Sequence, residues 1–147
     1  MIVLDTTVLV YAVGDEHPLR EPCRRVLSAH GSGLIDAVTT LGVISEFAHV
    51  RARRRARSDA VMLARSYRAA LTMMTTTDED LDRGLDLFEN HPRLGMFDAV
   101  LAAFAISRNA DALISADRGF DDVEGLRWID PSMSGLDSIL EPPRPSG

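Results

Sequence analysis

Five short apolar runs, each of strand rather than helix length, are spaced along this chain with helical segments between them. That alternation limits the fold more than any other feature. The runs are Ile2 to Leu4, Leu34 to Val38, Met73 to Thr76, Ala112 to Ser115 and Leu126 to Ile129. Between them, Pro18 to His30 reads as a helix ended by the Gly31-Ser32-Gly33 breaker. A second helix, about Leu41 to Arg54, has Thr39 or Thr40 placed to cap it. A third starts at Ser58 with a stripe through Val61, Ala64, Tyr67 and Leu71, and a fourth spans Asp78 to Glu89 with acids in its first turn. Leu9 to Ala12 fits either a helix or an irregular turn. In the last helix, Met96 to Asn109, Phe97, Val100, Leu101, Phe104 and Ala105 recur at core-facing spacing, with Asp98 one residue off the stripe. Strands joined through helices predict an α/β fold: a three-layer sandwich with a central, mainly parallel sheet of four to five strands flanked by helices.

At 147 residues the chain suits one domain, expected over 1–130, followed by a Pro-rich and poorly ordered tail over 131–147 that carries Pro142, Pro143 and Pro145. No apolar run approaches the roughly 20 residues of a membrane span, and Met1 to Leu4 lacks a basic leader. A cytoplasmic protein without a membrane role is expected. Cys23 is the sole cysteine, set in a helix read as exposed beside Arg24 and Arg25, so disulfide frameworks and thiolate zinc sites are excluded. The net charge is −6, yet residues 51–68 hold seven Arg against Asp59 alone, which makes that stretch +6 and the remainder −12. All sixteen basic residues are Arg, so chemistry that needs a lysine amine is closed to this chain.

Open parallel sheets bind ligands beyond the carboxyl ends of their strands. Asp5 closes the first strand and Asp117 follows the fourth. Asp98 starts the helix that feeds that fourth strand, and Glu46 lies on the flank of the helix after the second. All four can reach one cleft, where their mutual repulsion has to be relieved by protons or by a metal. Oxygen donors without Cys or clustered His favour Mg²⁺ or Mn²⁺. Such a site suits hydrolysis of a phosphodiester. Each acid also has a duller reading: Asp5 and Asp117 as turn caps, Glu46 as a solvated helix residue, Asp98 as an ordinary first-turn acid. Their joint placement is what favours a site.

The segments Met-Ile-Val-Leu-Asp5-Thr-Thr-Val-Leu, Ile44-Ser45-Glu46-Phe47, Phe97-Asp98-Ala99-Val-Leu-Ala-Ala and Leu-Ile-Ser115-Ala-Asp117-Arg118-Gly119-Phe120 together resemble the PIN-domain family, most closely its VapC-type toxins, over about residues 1–130. The resemblance implies a metal-dependent endoribonuclease acting as the toxin of a toxin–antitoxin module, with Asp5, Glu46, Asp98 and Asp117 as catalytic metal ligands. It further implies supporting hydroxyls at Thr6 or Thr7 and at Ser115, an optional outer ligand at Asp121, an RNA substrate, a cognate antitoxin and a homodimer. Thr7 stands where the family often has Asn or Ser, which keeps a hydroxyl in place.

The basic run offers Arg51, Arg53, Arg54 and Arg55, with Arg118 beside the last acid, as candidate RNA contacts; a solvated helix end or an antitoxin surface are the alternatives. Met62, Met73, Met74 and Phe104 read as core or dimer packing, Trp128 as the anchor of the last strand, and the four histidines as surface residues, of which His49, one turn from Glu46, is the one worth testing. An aspartate-nucleophile phosphatase is excluded because it needs a lysine and a second Asp where Thr7 stands. A non-catalytic PIN-like interaction module and a DNA-directed nuclease are the remaining alternatives.

Overall fold

The computed structural model describes residues 1–141. It contains five strands, β1 (Ile2–Leu4), β2 (Ala37–Thr40), β3 (Thr72–Met74), β4 (Ala112–Ile114) and β5 (Trp128–Ile129). Seven helices accompany them: α1 (Thr6–Ala12), α2 (Arg20–Gly31), α3 (Leu41–Ala52), α4 (Arg57–Ala70), α5 (Asp78–Asn90), α6 (Met96–Ser107) and α7 (Gly135–Leu140). The strands form one sheet in the order β3-β2-β1-β4-β5, every pairing parallel. Parallel neighbours require crossovers, and the helices supply them, so both faces of the sheet are covered. Accordingly β1, β2 and β4 are buried throughout. No helix among the described residues is long and apolar enough to cross a membrane.

The chain leaves β1 for β2 on one side and returns to place β4 on the other, so the order reverses at β1. A crevice opens beyond the carboxyl ends of the strands at such a reversal. Asp5 follows β1 directly, and residues 115–117 follow β4. Helix α3 leaves from the carboxyl end of β2, while α6 leads back into β4, so its first turn comes to the same edge.

Local chemistry accounts for the element ends. Thr40 caps α3 by accepting from the Val43 amide. Thr77 and Asp80 form a reciprocal capping box on α5. Asp80 is buried and also accepts from Ser107 Oγ at 2.8 Å and from Arg108, which ties α5 to the end of α6. Burial works to raise this carboxyl, but the Thr77 amide, Arg108 and Ser107 together hold it below its ordinary range. The two helices approach closely at Gly84, where an added Cβ would stand 2.9 Å from the Val100 Cα.

Four expectations need correction. The second strand starts at Ala37, not Leu34: Leu34 N–H and Gly33 N–H turn back to the carbonyls of Ala29 and His30, with Gly33 at φ 76°, and this closure of α2 delays entry into the sheet. Cys23 is fully buried, because α2 turns Arg24 outward and Cys23 and Val26 inward; burial, and then Asp130, push its thiol up to about 12. Phe97 is 78% exposed although it fits the helical core stripe: in the first turn of α6 Ala99 takes the buried position and Phe97 is left to solvent. Residues 131–141, read as part of a tail, include α7, whose Leu136 and Leu140 are buried and whose Asp137 pairs with Arg25. Pro142, Pro143 and Pro145 lie outside the described residues.

Candidate metal centre

Asp5 serves as the N-cap of α1, and its buried carboxylate is held by three donors. Oδ2 accepts from the Thr7 amide at 3.3 Å, from Thr7 Oγ1 at 2.8 Å and from Ser115 Oγ at 2.7 Å. The hydroxyls are positioned in turn: Thr7 Oγ1 accepts from the Ala116 amide at 3.0 Å, and Ser115 Oγ accepts from the Asp117 amide at 3.0 Å. The ends of β1 and β4 are thereby stitched together. Asp117 caps the short 3₁₀ turn Arg118–Phe120 through the Gly119 amide at 2.8 Å. Across the crevice, Thr6 Oγ1 donates to Glu46 Oε2, which draws α3 toward α1.

Asp5, Glu46, Asp98 and Asp117 border one cavity of about 300 Å³, together with Thr6 and Thr7. Burial first, then the carboxylates of Asp5, Asp117 and Glu46, push Asp98 up to about 7. None of the four acids has an ion-pair partner among the described residues. Concentrated, unneutralised oxygen donors with neither Cys nor His among them fit a hard divalent cation. The side chains are not already drawn into a coordination shell: no group of three or more His, Cys, Asp or Glu among the described residues stands ready to hold an ion. One oxygen each of Asp5 and Glu46 is committed to a hydroxyl.

Other candidates from the sequence fall in different places. Asp121 borders neither this cavity nor the one beside it; its carboxylate pairs with Arg93, a residue from the loop before α6. The structure does not bring Asp121 to the cavity that the other four acids border. Arg51, Arg54 and Arg55 line the cavity, whereas Arg53 and Arg118 do not. Arg51 is committed to structure, donating through Nε to Asp59 at 2.6 Å and through a terminal nitrogen to the Val13 carbonyl at 3.1 Å. Arg55 pairs with Asp15. Arg54 is exposed and makes no ion pair or side-chain hydrogen bond among the described residues. Sequence reasoning did not anticipate Tyr11 and Asp15 at the cavity; the only available signal was the Gly14-Asp15 turn signature directly after α1.

Comparison with known proteins agrees with this architecture. The PIN domain model matches residues 2–126. The chain belongs to the PIN-domain family. It is 51% identical to Ribonuclease VapC7 of Mycobacterium tuberculosis over 146 residues, covering 95% of this chain and 98% of that protein. Ribonuclease VapC13 of the same organism is 28% identical, over 88% of this chain and 99% of that one. Among solved structures, VapBC2 from Rickettsia felis bound to a promoter DNA fragment superposes with a TM-score of 0.70 at 16% identity, covering 88% and 98% of the two chains. Mycobacterium tuberculosis VapC20, described as a sarcin-ricin loop cleaving toxin, superposes at 0.69 with 14% identity, covering 86% and 99%. At these identities the superpositions show the shared fold.

Proposed function

We propose that this protein is a divalent-metal-dependent endoribonuclease and the toxin of a toxin–antitoxin pair, with Asp5, Glu46, Asp98 and Asp117 as the residues that hold Mg²⁺ or Mn²⁺. One observation carries the reading: four carboxylates from four distant segments border a single cavity, and none of them has an ion-pair partner among the described residues. Bound there, a divalent cation supplies Lewis acidity toward a phosphoryl oxygen and acidifies a water. The chain's own residues do the positioning. Ser115 and Thr7 fix the Asp5 carboxylate, Thr6 fixes Glu46, and Asp98 enters the ligand set by releasing its proton. Arg54 offers an uncommitted guanidinium to the phosphates that flank the reacting one.

The likeness to VapC ribonucleases along nearly the whole chain supports RNA as substrate and an antitoxin as partner. The family resemblance supports a homodimer in the cytoplasm, and Leu81, Leu85 and Phe88, exposed at i, i+4 and i+7 spacing on α5, supply an apolar face for it. The test is cleavage mapping of total RNA with Mg²⁺, with Mn²⁺ and with excess chelator. Discrete cuts are expected only with metal, and Asp5→Asn or Asp98→Asn is expected to abolish them and to relieve growth arrest on expression. Undiminished cutting by either folded variant, or by the chelated protein, contradicts the assignment.

A further inference from the structure

The carboxylates stand between two cavities of opposite character. The one already described carries Arg51, Arg54 and Arg55. The second, of about 250 Å³, shares Asp5, Glu46 and Asp98 with it but has no basic residue; its other walls include Phe97, Val43, Val100 and Thr76. Phe97 is the most exposed large apolar side chain among the described residues, adjoining Asp98 in sequence and sharing this cavity with it. An aromatic ring left 78% in solvent costs free energy that burial would recover, so something is expected to cover it. Thr76 is also exposed, and its hydroxyl has no hydrogen-bond partner among the described residues.

We infer that this second cavity is a nucleobase subsite of the ribonuclease, in which Phe97 stacks an unpaired base next to the scissile phosphate and the Thr76 hydroxyl bonds to that base's edge. The inference rests on the ribonuclease reading and deepens it. Continuity decides the occupant: a ligand held at the carboxylates reaches this cavity within one nucleotide. The lack of cations there disfavours a phosphate, while an apolar wall, an aromatic face and one hydroxyl suit a base. The substrate is then polarised across the centre, with backbone phosphates on the arginine side and a splayed base on the Phe97 side. Such a subsite favours single-stranded or looped RNA, because a base held in a duplex must first be unstacked and unpaired to reach Phe97.

The test uses the full chain with Mg²⁺ and an unstructured oligoribonucleotide of mixed sequence that is cut at one mapped bond, together with versions abasic at each position flanking that bond. Base–aromatic stacking is worth about 1–3 kcal/mol per base, so Phe97→Ala is expected to lower kcat/KM about tenfold or more, chiefly through KM, with Phe97→Tyr retaining activity. One abasic position is expected to cost the wild type a similar factor and to cost Phe97→Ala nothing further. Additive losses, or an unchanged KM in Phe97→Ala, overturn the subsite. So does a loss that follows a fall in dimer mass or in antitoxin binding, which places Phe97 in a protein interface. Failure of the wild type to cut any RNA overturns the ribonuclease reading instead, and the two failures are thereby distinct.

Discussion

Asp98 sits where burial and three neighbouring carboxylates oppose its ionisation. Its folded value, about 7, lies above the 3.8 of a free aspartate, so between those limits the fold retains a proton that the unfolded chain has released. Metal-free protein is therefore expected to lose stability as pH rises from about 4 to 7 and to change little above that. Asp98→Asn removes the dependence and stabilises the chelated protein at pH 8 by on the order of 1–3 kcal/mol, which thermal melts across this pH range measure. A flat wild-type profile contradicts the crowding. The arginines separate in the same residue-level way. Arg54→Gln is expected to weaken RNA binding and to reduce the magnitude of its salt slope by about one. Arg51→Gln is expected instead to lower the melting temperature, because its guanidinium clasps Asp59 and the Val13 carbonyl.

Packing between α5 and α6 dominates at the scale of elements. An added Cβ at Gly84 would stand 2.8 Å from the Val100 side chain and 2.9 Å from its Cα. Gly84→Ala thus forces the helices apart, and denaturant melts are expected to show a loss of about 1–3 kcal/mol instead of the usual helix-propensity gain. The same scale explains what the sequence disclosed. Strand–helix alternation and the strand-end rule were legible because both depend on local spacing, and they placed Asp5, Glu46, Asp98 and Asp117 at one edge. The exposure of Phe97 was not legible because periodicity gives the face of a helix but not whether another element lies against that face at each turn. The Asp121–Arg93 pair was not legible for a related reason: Arg93 comes from a loop 28 residues earlier, and no local pattern encodes that pairing. The buried side of α2 at Cys23 and the docking of α7 likewise depend on neighbours distant in sequence.

Across the whole molecule, charge and apolar surface are distributed unevenly. An acidic chain gathers seven of its sixteen arginines over residues 51–68, and three of them, Arg51, Arg54 and Arg55, line the cavity of carboxylates, where Arg54 is proposed to meet the RNA backbone. The apolar face of α5 carries the proposed dimer, and Leu85→Asp is expected to halve the mass seen by light scattering while the fold persists; an unchanged dimer moves the interface elsewhere. If four remote carboxylates act as one ligand set, calorimetric titration of Mn²⁺ into the metal-free protein measures it directly. Saturable binding is expected for the wild type and for Asp121→Asn, weakened about tenfold or more in Asp5→Asn, Glu46→Gln, Asp98→Asn and Asp117→Asn. Wild-type protein without saturable binding, or four variants that bind as it does, would contradict it.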